Sequence, residues 1–139
     1  MNETIKGSLA GIKVIDFSTL LPGPLASLFL AETGAEVIKI EKPGIGDEMR
    51  EAYPKWNNQS VSFSMLNRGK KSLSLDLKDP ENLKVLEPII KEADILIEQF
   101  RPGVMKRLGL DYETIKKINK KINYCEYQVL VLFHLSYLF

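Results

Sequence analysis

A strand–helix–strand pattern near the start of the sequence constrains the fold more than any other feature. Ile12–Phe17 and Glu36–Glu41 are short runs rich in β-branched residues, which predicts two strands. Pro22–Thr33 between them predicts a helix, because proline suits a first helical turn and Gly34 suits the position just after the last one. A crossover of this kind joins parallel strands through a right-handed connection.

The same alternation continues along the chain. Further elements are predicted as strands at Lys71–Leu77, Ile95–Glu98 and Ile122–Cys125, and as helices at Pro80–Ala93, Gly103–Leu108 and Tyr112–Asn119. Alternating strands and helices indicate an α/β protein with a doubly wound parallel sheet. The long connection Gly44–Gly69 has no clear pattern, and connections of this length are commonly functional.

Composition and charge exclude several classes of protein. The 139 residues fit one globular domain, and a net charge of +1 argues against general nucleic-acid binding. The N-terminus lacks the pattern of a secretory signal, and the apolar run Val129–Phe139 is too short to span a bilayer. The single cysteine, Cys125, excludes an internal disulfide and fits a reducing compartment. We therefore expect a cytoplasmic protein without a membrane partner.

Cationic residues follow most of the predicted strands. Lys42 follows the second strand, Lys78 the third, and Arg101 and Arg107 the fourth. The first strand is followed by the helix that opens at Pro22, whose free N–H groups would suit an anion. Ligands of open parallel sheets bind beyond the carboxyl ends of the strands, so these groups predict a ligand with several phosphates and an apolar portion. The alternative is that the side chains are simply solvated.

Two common phosphate-binding motifs are missing from the sequence. The turn after the first predicted strand contains only Gly23 instead of G-x-G-x-x-G, although Glu41 stands near the position of a ribose-binding acid. No G-x-x-x-x-G-K-[ST] occurs either. Neither a nicotinamide site nor a P-loop is predicted.

Five ordered motifs resemble the class III CoA-transferase family, which includes formyl-CoA transferase, carnitine CoA-transferase and α-methylacyl-CoA racemase. They are L-x-G-I-K-V-x-D-F at Leu9–Phe17 with P-G-P after it, then Gly34–Arg50, Leu66–Lys78, Ala93–Val104 and Leu108–Glu113. The resemblance extends from Leu9 to Cys125. It implies a Rossmann-like parallel sheet with helices on both faces, residues 1–125 being the CoA-binding part of an incomplete large domain.

The resemblance also implies substrates, partners and binding residues. Coenzyme A or acyl-CoA and a carboxylic acid would be substrates, no cofactor would be tightly bound, and relatives of full length would form interlocked homodimers. Contacts to CoA would fall on Leu21, Pro22, Lys42, Leu75, Asp76, Leu77, Lys78, Gln99, Phe100, Arg101 and Arg107. Lys42 and Arg107 would be the main phosphate partners, and Leu75 and Leu77 would form apolar walls for the adenine.

No catalytic residue is assigned. The resemblance implies two mechanisms. The transferases of the family use an aspartate that forms acyl-anhydride and thioester intermediates, and the racemases use an aspartate with a histidine for proton transfer. Both act beyond the strand that ends near Cys125, and no aspartate follows Asp111 here. Residues 126–139 depart from the family and are interpreted as a divergent apolar tail of an incomplete or frame-altered chain. We expect the chain to be part of a CoA-transferase and to be inactive alone. The alternatives are part of an acyl-CoA racemase, or a truncated, non-catalytic module that binds CoA and dimerises.

Other reactive residue types have structural interpretations. Asp16 is expected to accept hydrogen bonds, and Asp47 and Arg50 to form a local ion pair. Asp94 and Glu98 flank a predicted strand and are expected to act as caps and to be exposed to solvent, and Cys125 is expected to be a small buried apolar residue. One histidine and one cysteine do not make a metal site.

Overall fold

The computed structural model describes residues 7–128, which contain a parallel sheet and its surrounding helices. The elements follow in the order β1 (Lys13–Asp16), α1 (Pro22–Glu32), β2 (Glu36–Glu41), a 3-10 helix (Glu48–Glu51), β3 (Lys55–Trp56), β4 (Gln59–Ser60), α2 (Val61–Asn67), β5 (Lys71–Ser74), α3 (Pro80–Glu92), β6 (Ile95–Glu98), α4 (Val104–Arg107), α5 (Tyr112–Ile118) and β7 (Asn123–Glu126). The tail predicted at residues 126–139 lies mostly outside the described residues.

Five of the strands form one sheet in the order β5-β2-β1-β6-β7, and every pairing in it is parallel. Counted along the chain, this order is 3-2-1-4-5, the arrangement of a Rossmann-like sheet. The chain reverses its direction of travel across the sheet between β1 and β6, where Ile15 pairs with Leu96. The short strands β3 and β4 form a separate antiparallel hairpin. The prediction of a Rossmann-like parallel sheet is confirmed.

Side chains of β1 alternate between two apolar cores, one on each face of the sheet. Ile15 belongs to the larger core, together with Leu86 of α3 and Ile115 of α5. Val14 belongs to the smaller core, against which Leu30 of α1 packs. Successive side chains of a strand point to opposite faces, so a strand buried on both sides requires helices on both faces.

Local signals place the helix boundaries close to their predicted positions. Pro22 stands in the first turn of α1, and Gly34 follows its end with a φ of 104°, a conformation that costs glycine little. Asp79 caps α3 by accepting a hydrogen bond of 2.9 Å from the backbone N–H of Glu81. Both helices begin at the predicted proline.

The segment between residues 44 and 69 is more regular than the sequence indicates. It contains the 3-10 helix, the β3–β4 hairpin and α2. Ser60 caps α2 by accepting a hydrogen bond of 3.2 Å from the N–H of Phe63. The sequence does not predict this helix, because Val61–Asn67 is short and mixes β-branched and polar residues. None of the helices within residues 7–128 has the length and apolar character needed to cross a bilayer.

Candidate functional site

A cleft of about 320 Å³ opens beyond the carboxyl ends of β1, β2, β5 and β6. It lies at the edge of the sheet where the sequence predicts a ligand, on the side of the larger core. The cleft brings together six of the predicted binding residues: Lys42, Leu75, Asp76, Leu77, Lys78 and Phe100. Three separate strands deliver them, so their proximity depends on the parallel order of the sheet.

The other five predicted residues do not line the cleft. Leu21 and Pro22 are exposed where α1 begins. Gln99 is half-buried and donates a hydrogen bond of 2.7 Å to the backbone oxygen of Thr19, which does line the cleft. Arg101 and Arg107 are exposed and stand outside it, although two apolar neighbours of Arg107 contribute to the wall.

The inner wall of the cleft is apolar and belongs to the larger core. Phe17, Ile40 and Leu75 are almost fully buried, and Leu77 and Phe100 pack against them. A flat ring system such as a purine could contact this apolar surface with one of its faces. The wall therefore suits the apolar portion of the predicted ligand.

Charges of both signs stand at the rim of the cleft. The two cationic side chains are Lys42 and Lys78, and the acidic ones include Glu48 and Asp76. Lys42 forms an ion pair with Glu48. Of the cations that follow strands, Lys42 and Lys78 line the cleft and Arg101 and Arg107 do not, so a contact between these arginines and a ligand stays a prediction. Arg101 stands in the turn before α4 and Arg107 is the last residue of α4, and both residues are exposed.

The start of α1 offers fewer hydrogen-bond donors than a helix N-terminus usually does. Pro22 and Pro24 have no N–H, and the N–H of Leu25 donates to the backbone oxygen of Leu21. Gly23 is buried, and a Cβ atom added to it would lie 2.2 Å from Cβ of Ser18. Of the first three helical residues, Gly23 alone keeps an N–H, so the prediction that this end binds an anion would depend on few donors.

A buried charge network lies beneath the carboxyl ends of β1 and β2. Asp16 is fully buried and accepts hydrogen bonds from the N–H of Ser18 at 2.9 Å and from the hydroxyls of Ser18 and Ser27. The ammonium group of Lys70 lies 3.4 Å from its Oδ2. Burial lowers the pKa of Lys70 to about 8, although Asp16 favours the charged form. The interpretation of Asp16 as a structural acceptor is confirmed.

The loop after β2 is fixed by two ion pairs, and they differ from the predicted one. Asp47 pairs with buried Lys39 at 2.9 Å, and Arg50 donates two hydrogen bonds of 2.7 Å to Glu41. The predicted Asp47–Arg50 pair is wrong, because β2 presents Lys39 and Glu41 on the same face and each takes a partner from the loop. The guanidinium of Arg50 also lies 3.8 Å from the centre of the Phe63 ring.

Hydrogen bonds keep the carboxyl group of Glu41 ionised. Burial by itself would raise the pKa of Glu41. Hydrogen bonds from Arg50, from the hydroxyl of Ser72 and from the backbone of Asp47 outweigh burial and lower that pKa to about 2. The group is therefore an anion at neutral pH, and it holds the loop against the sheet.

Two expectations about the last two sheet strands are wrong. Glu98 is only 3% exposed, because it lies two residues after Leu96 on β6 and therefore on the same face of the sheet, toward the larger core. Burial raises the pKa of Glu98, and the nearby carboxylate of Glu126 adds to that effect. Cys125 is exposed, because it lies on the edge strand with no further strand or helix covering it within residues 7–128. Alternate residues of a strand share a face, so the apolar residue Leu96 two positions earlier is the signal in the sequence that indicates the burial of Glu98.

Metal-ligating side chains do not cluster in the part of the chain that the structure describes. No group of three or more His, Cys, Asp or Glu residues there has a geometry suited to an ion. The acidic groups near the cleft instead have lysine, arginine or backbone N–H partners.

The strand order and the position of the cleft define an α/β protein of the Rossmann-like class, with its ligand cleft near the change in strand order. The family model for CoA-transferase family III matches residues 9–129, and the chain belongs to this family.

Several known proteins are similar to the chain. It is 45% identical over 119 residues to the acetyl-CoA:oxalate CoA-transferase of Acetobacter aceti, covering 86% of this chain and 31% of the relative. It is 39% identical over 118 residues to the succinyl-CoA:glutarate CoA-transferase of Mus musculus, covering 84% of this chain and 27% of the relative. The chain thus spans less than a third of the length of these relatives.

Two solved structures share the fold of the chain. The orthorhombic crystal structure of Rv3272 from Mycobacterium tuberculosis superposes with a TM-score of 0.82 at 35% identity, covering 89% of this chain and 35% of that one. A CaiB/BaiF family protein from Brucella suis gives a TM-score of 0.81 at 35% identity, with 87% and 33% covered.

Proposed function

We propose that the chain is the CoA-binding part of the large domain of a CoA-transferase, which moves coenzyme A between carboxylic acids. The observation that carries the proposal is the cleft at the carboxyl ends of four strands, which has an apolar inner wall and lysines at its rim. Family membership supports the same conclusion, because the relatives named above are CoA-transferases.

The cleft offers each part of a nucleotide a suitable surface. Lys42 and Lys78 would contact phosphate oxygens through charge-assisted hydrogen bonds. Leu75, Leu77 and Phe100 would cover the adenine, and the backbone groups near Asp76 would fix its orientation. The nucleotide end of CoA, rather than its thiol end, would therefore occupy the cleft.

The five predicted residues outside the cleft fit a second part of the proposal. Coenzyme A is long, and its pantetheine arm must leave any cleft that holds its nucleotide. Leu21 and Pro22 lie after β1, at the start of α1, and Gln99 directly follows β6. Arg101 stands in the turn before α4, and Arg107 is the last residue of α4. We assign these residues to the remainder of the ligand, which makes residues 1–125 the CoA-binding part of the domain.

Catalysis would require groups that this chain does not supply. We propose that the family's aspartyl intermediate forms on a residue beyond the matched part, because no aspartate follows Asp111. The named relatives favour a transferase over a racemase. Relatives of full length would act as interlocked homodimers, with acyl-CoA and a carboxylic acid as substrates. The 139-residue chain would bind CoA without transferring it.

A calorimetric titration of the purified chain with CoA tests the proposal. We expect saturable binding that Lys42→Ala weakens about three- to tenfold, because one charge-assisted phosphate contact is lost. Lys71→Ala is the matched control, since Lys71 is an exposed lysine that pairs with Glu36 at 2.7 Å at the far end of β5. Absence of saturable binding by the unsubstituted chain would refute the proposal. Equal losses from the two substitutions would refute the role of Lys42.

A further inference from the structure

Glu48 and Lys42 form an ion pair inside the cleft to which the proposed function assigns CoA. Both side chains line the cleft, and the lysine ammonium group is in hydrogen-bond contact with Oε1 of Glu48. The side chains of Lys42 and Glu48 are 54% and 53% exposed, so a ligand can reach both. The cation assigned to a phosphate is thus already occupied by an anion of the protein itself.

The neighbours of Glu48 in the sequence hold it in this place. Asp47 is 1% exposed, pairs with Lys39, and receives an N–H hydrogen bond of 2.9 Å from Met49 that caps the 3-10 helix. Arg50 is fixed to Glu41 by two hydrogen bonds. Because residues on both sides of Glu48 are anchored, the backbone of Glu48 is held beside the cleft.

A phosphate that binds Lys42 therefore meets the negative charge of Glu48 at the same ammonium group. A hydrogen bond from Lys42 lowers the pKa of Glu48, so the carboxylate is charged at neutral pH. A phosphate monoester carries close to two negative charges there, whereas a carboxylate carries one. The phosphate is attracted by Lys42 and repelled by Glu48, so the internal pair weakens the net attraction of this site for phosphate.

We propose that Glu48 is an internal competitor in the CoA cleft, an anion of the protein that lowers the affinity of Lys42 for the phosphate of an incoming ligand. This inference rests on the proposed function. Glu48 then has a role separate from that of the buried acids nearby, because Glu41 and Asp47 fix the loop and Glu48 acts on the ligand.

The test compares CoA affinity by calorimetry at low ionic strength in the full chain and in Glu48→Gln. We expect Glu48→Gln to bind CoA about two- to fivefold more tightly, the range that follows from the strength of solvent-accessible ion pairs. Glu51→Gln is the matched control, because Glu51 lies on the same 3-10 helix, pairs with Lys55 at 2.9 Å and does not line this cleft. The control should bind CoA as the unsubstituted chain does.

A double-mutant cycle with Lys42→Ala shows whether Glu48 acts through the lysine. We expect the gain from Glu48→Gln to fall by at least half when Lys42 is also replaced, since no cation then remains to be released. An unchanged or weaker affinity in Glu48→Gln, or an equal gain in both backgrounds, would overturn the inference while the proposed function stands. Failure of the unsubstituted chain to bind CoA would instead overturn the proposed function and the inference together.

Discussion

Arg50 holds Glu41 in a two-pronged ion pair, with Nε 2.7 Å from Oε2 and the terminal nitrogen 2.7 Å from Oε1. The carboxylate also accepts hydrogen bonds from the hydroxyl of Ser72 at 2.6 Å and from the N–H of Asp47 at 2.9 Å. One buried anion therefore ties together β2, β5 and the loop that lines the cleft. Its protonation state controls how firmly that loop is held.

The first prediction concerns stability in acid. The pKa of Glu41 is about 2 in the folded chain, against 4.5 for an unperturbed glutamate. Its stabilising contribution is therefore complete above pH 4.5 and is lost as the pH falls toward 2. The linked free energy is on the order of 3 kcal/mol. We expect Glu41→Gln to unfold more easily at neutral pH and to show a flatter decline in acid, measured by urea unfolding at a series of pH values.

Glu36→Gln is the control for this experiment. Glu36 lies on the same strand but is exposed and pairs only at the surface with Lys71, with Lys13 nearby. Its acid profile should stay close to that of the unsubstituted chain. Parallel profiles for Glu41→Gln and the unsubstituted chain would contradict the role assigned to Glu41.

The second prediction concerns Glu98, whose raised pKa means that its charged form is disfavoured in the fold. The charged carboxylate therefore destabilises the fold at neutral pH. This destabilisation disappears as the pH falls through the raised pKa, where Glu98 of the folded chain takes up a proton. We expect Glu98→Gln to stabilise the chain by about 1 kcal/mol at neutral pH and by less in acid. The amide oxygen can still accept the 2.8 Å hydrogen bond from the N–H of Phe100.

Chemical unfolding at neutral pH and in acid measures this effect. Glu87→Gln provides the comparison, since Glu87 is an exposed acid of α3 that pairs with Lys91 at 2.7 Å. Its replacement should change the free energy of unfolding by no more than about 0.5 kcal/mol. A destabilised Glu98→Gln protein would show that the ionised carboxylate contributes favourably, against the prediction.

The third prediction concerns the close contact at Gly23. An added Cβ atom would lie 2.2 Å from Cβ of Ser18 and 2.7 Å from Oε1 of Gln99. Gly23→Ala should therefore destabilise the chain by about 2 kcal/mol or more, and it should also weaken CoA binding by displacing the turn after β6. Thermal unfolding and a CoA titration measure the two effects.

Removal of the opposing side chain checks the mechanism of that effect. In a Ser18→Gly background the Cβ of residue 23 no longer meets a side chain at position 18, so the cost of Gly23→Ala should be smaller. Additive effects of the two substitutions would show that the contact with Ser18 is not the cause.

The fourth prediction concerns the salt dependence of CoA binding. Lys42 and Lys78 stand at a rim that is open to solvent, where added salt screens their attraction to phosphate. The CoA dissociation constant should rise with ionic strength, and the slope of this rise should decrease when both lysines are replaced by alanine. A slope unaffected by the two replacements would place the phosphates elsewhere.

The sheet and most helix ends could be predicted from the sequence because their signals are local. The runs at Glu36–Glu41 and Ile95–Glu98 form strands with the predicted bounds, and α1 and α3 begin at the predicted prolines. In contrast, β5 ends at Ser74 rather than Leu77. The carboxylate of Asp76 accepts a hydrogen bond of 3.0 Å from the N–H of Lys78 and turns the chain away from the sheet.

The sequence by itself determined the alternation of the sheet strands with α1, α3, α4 and α5, and the rim of the sheet that carries the cleft, because these depend on residues close together in the chain. Only the tertiary structure decided which charges meet. Arg50 pairs with Glu41 instead of Asp47, Lys42 faces Glu48 in the cleft, and Arg107 remains outside it. Several oppositely charged partners lie within reach of each side chain along the sequence, and the face of the strand and the path of the loop select one of them.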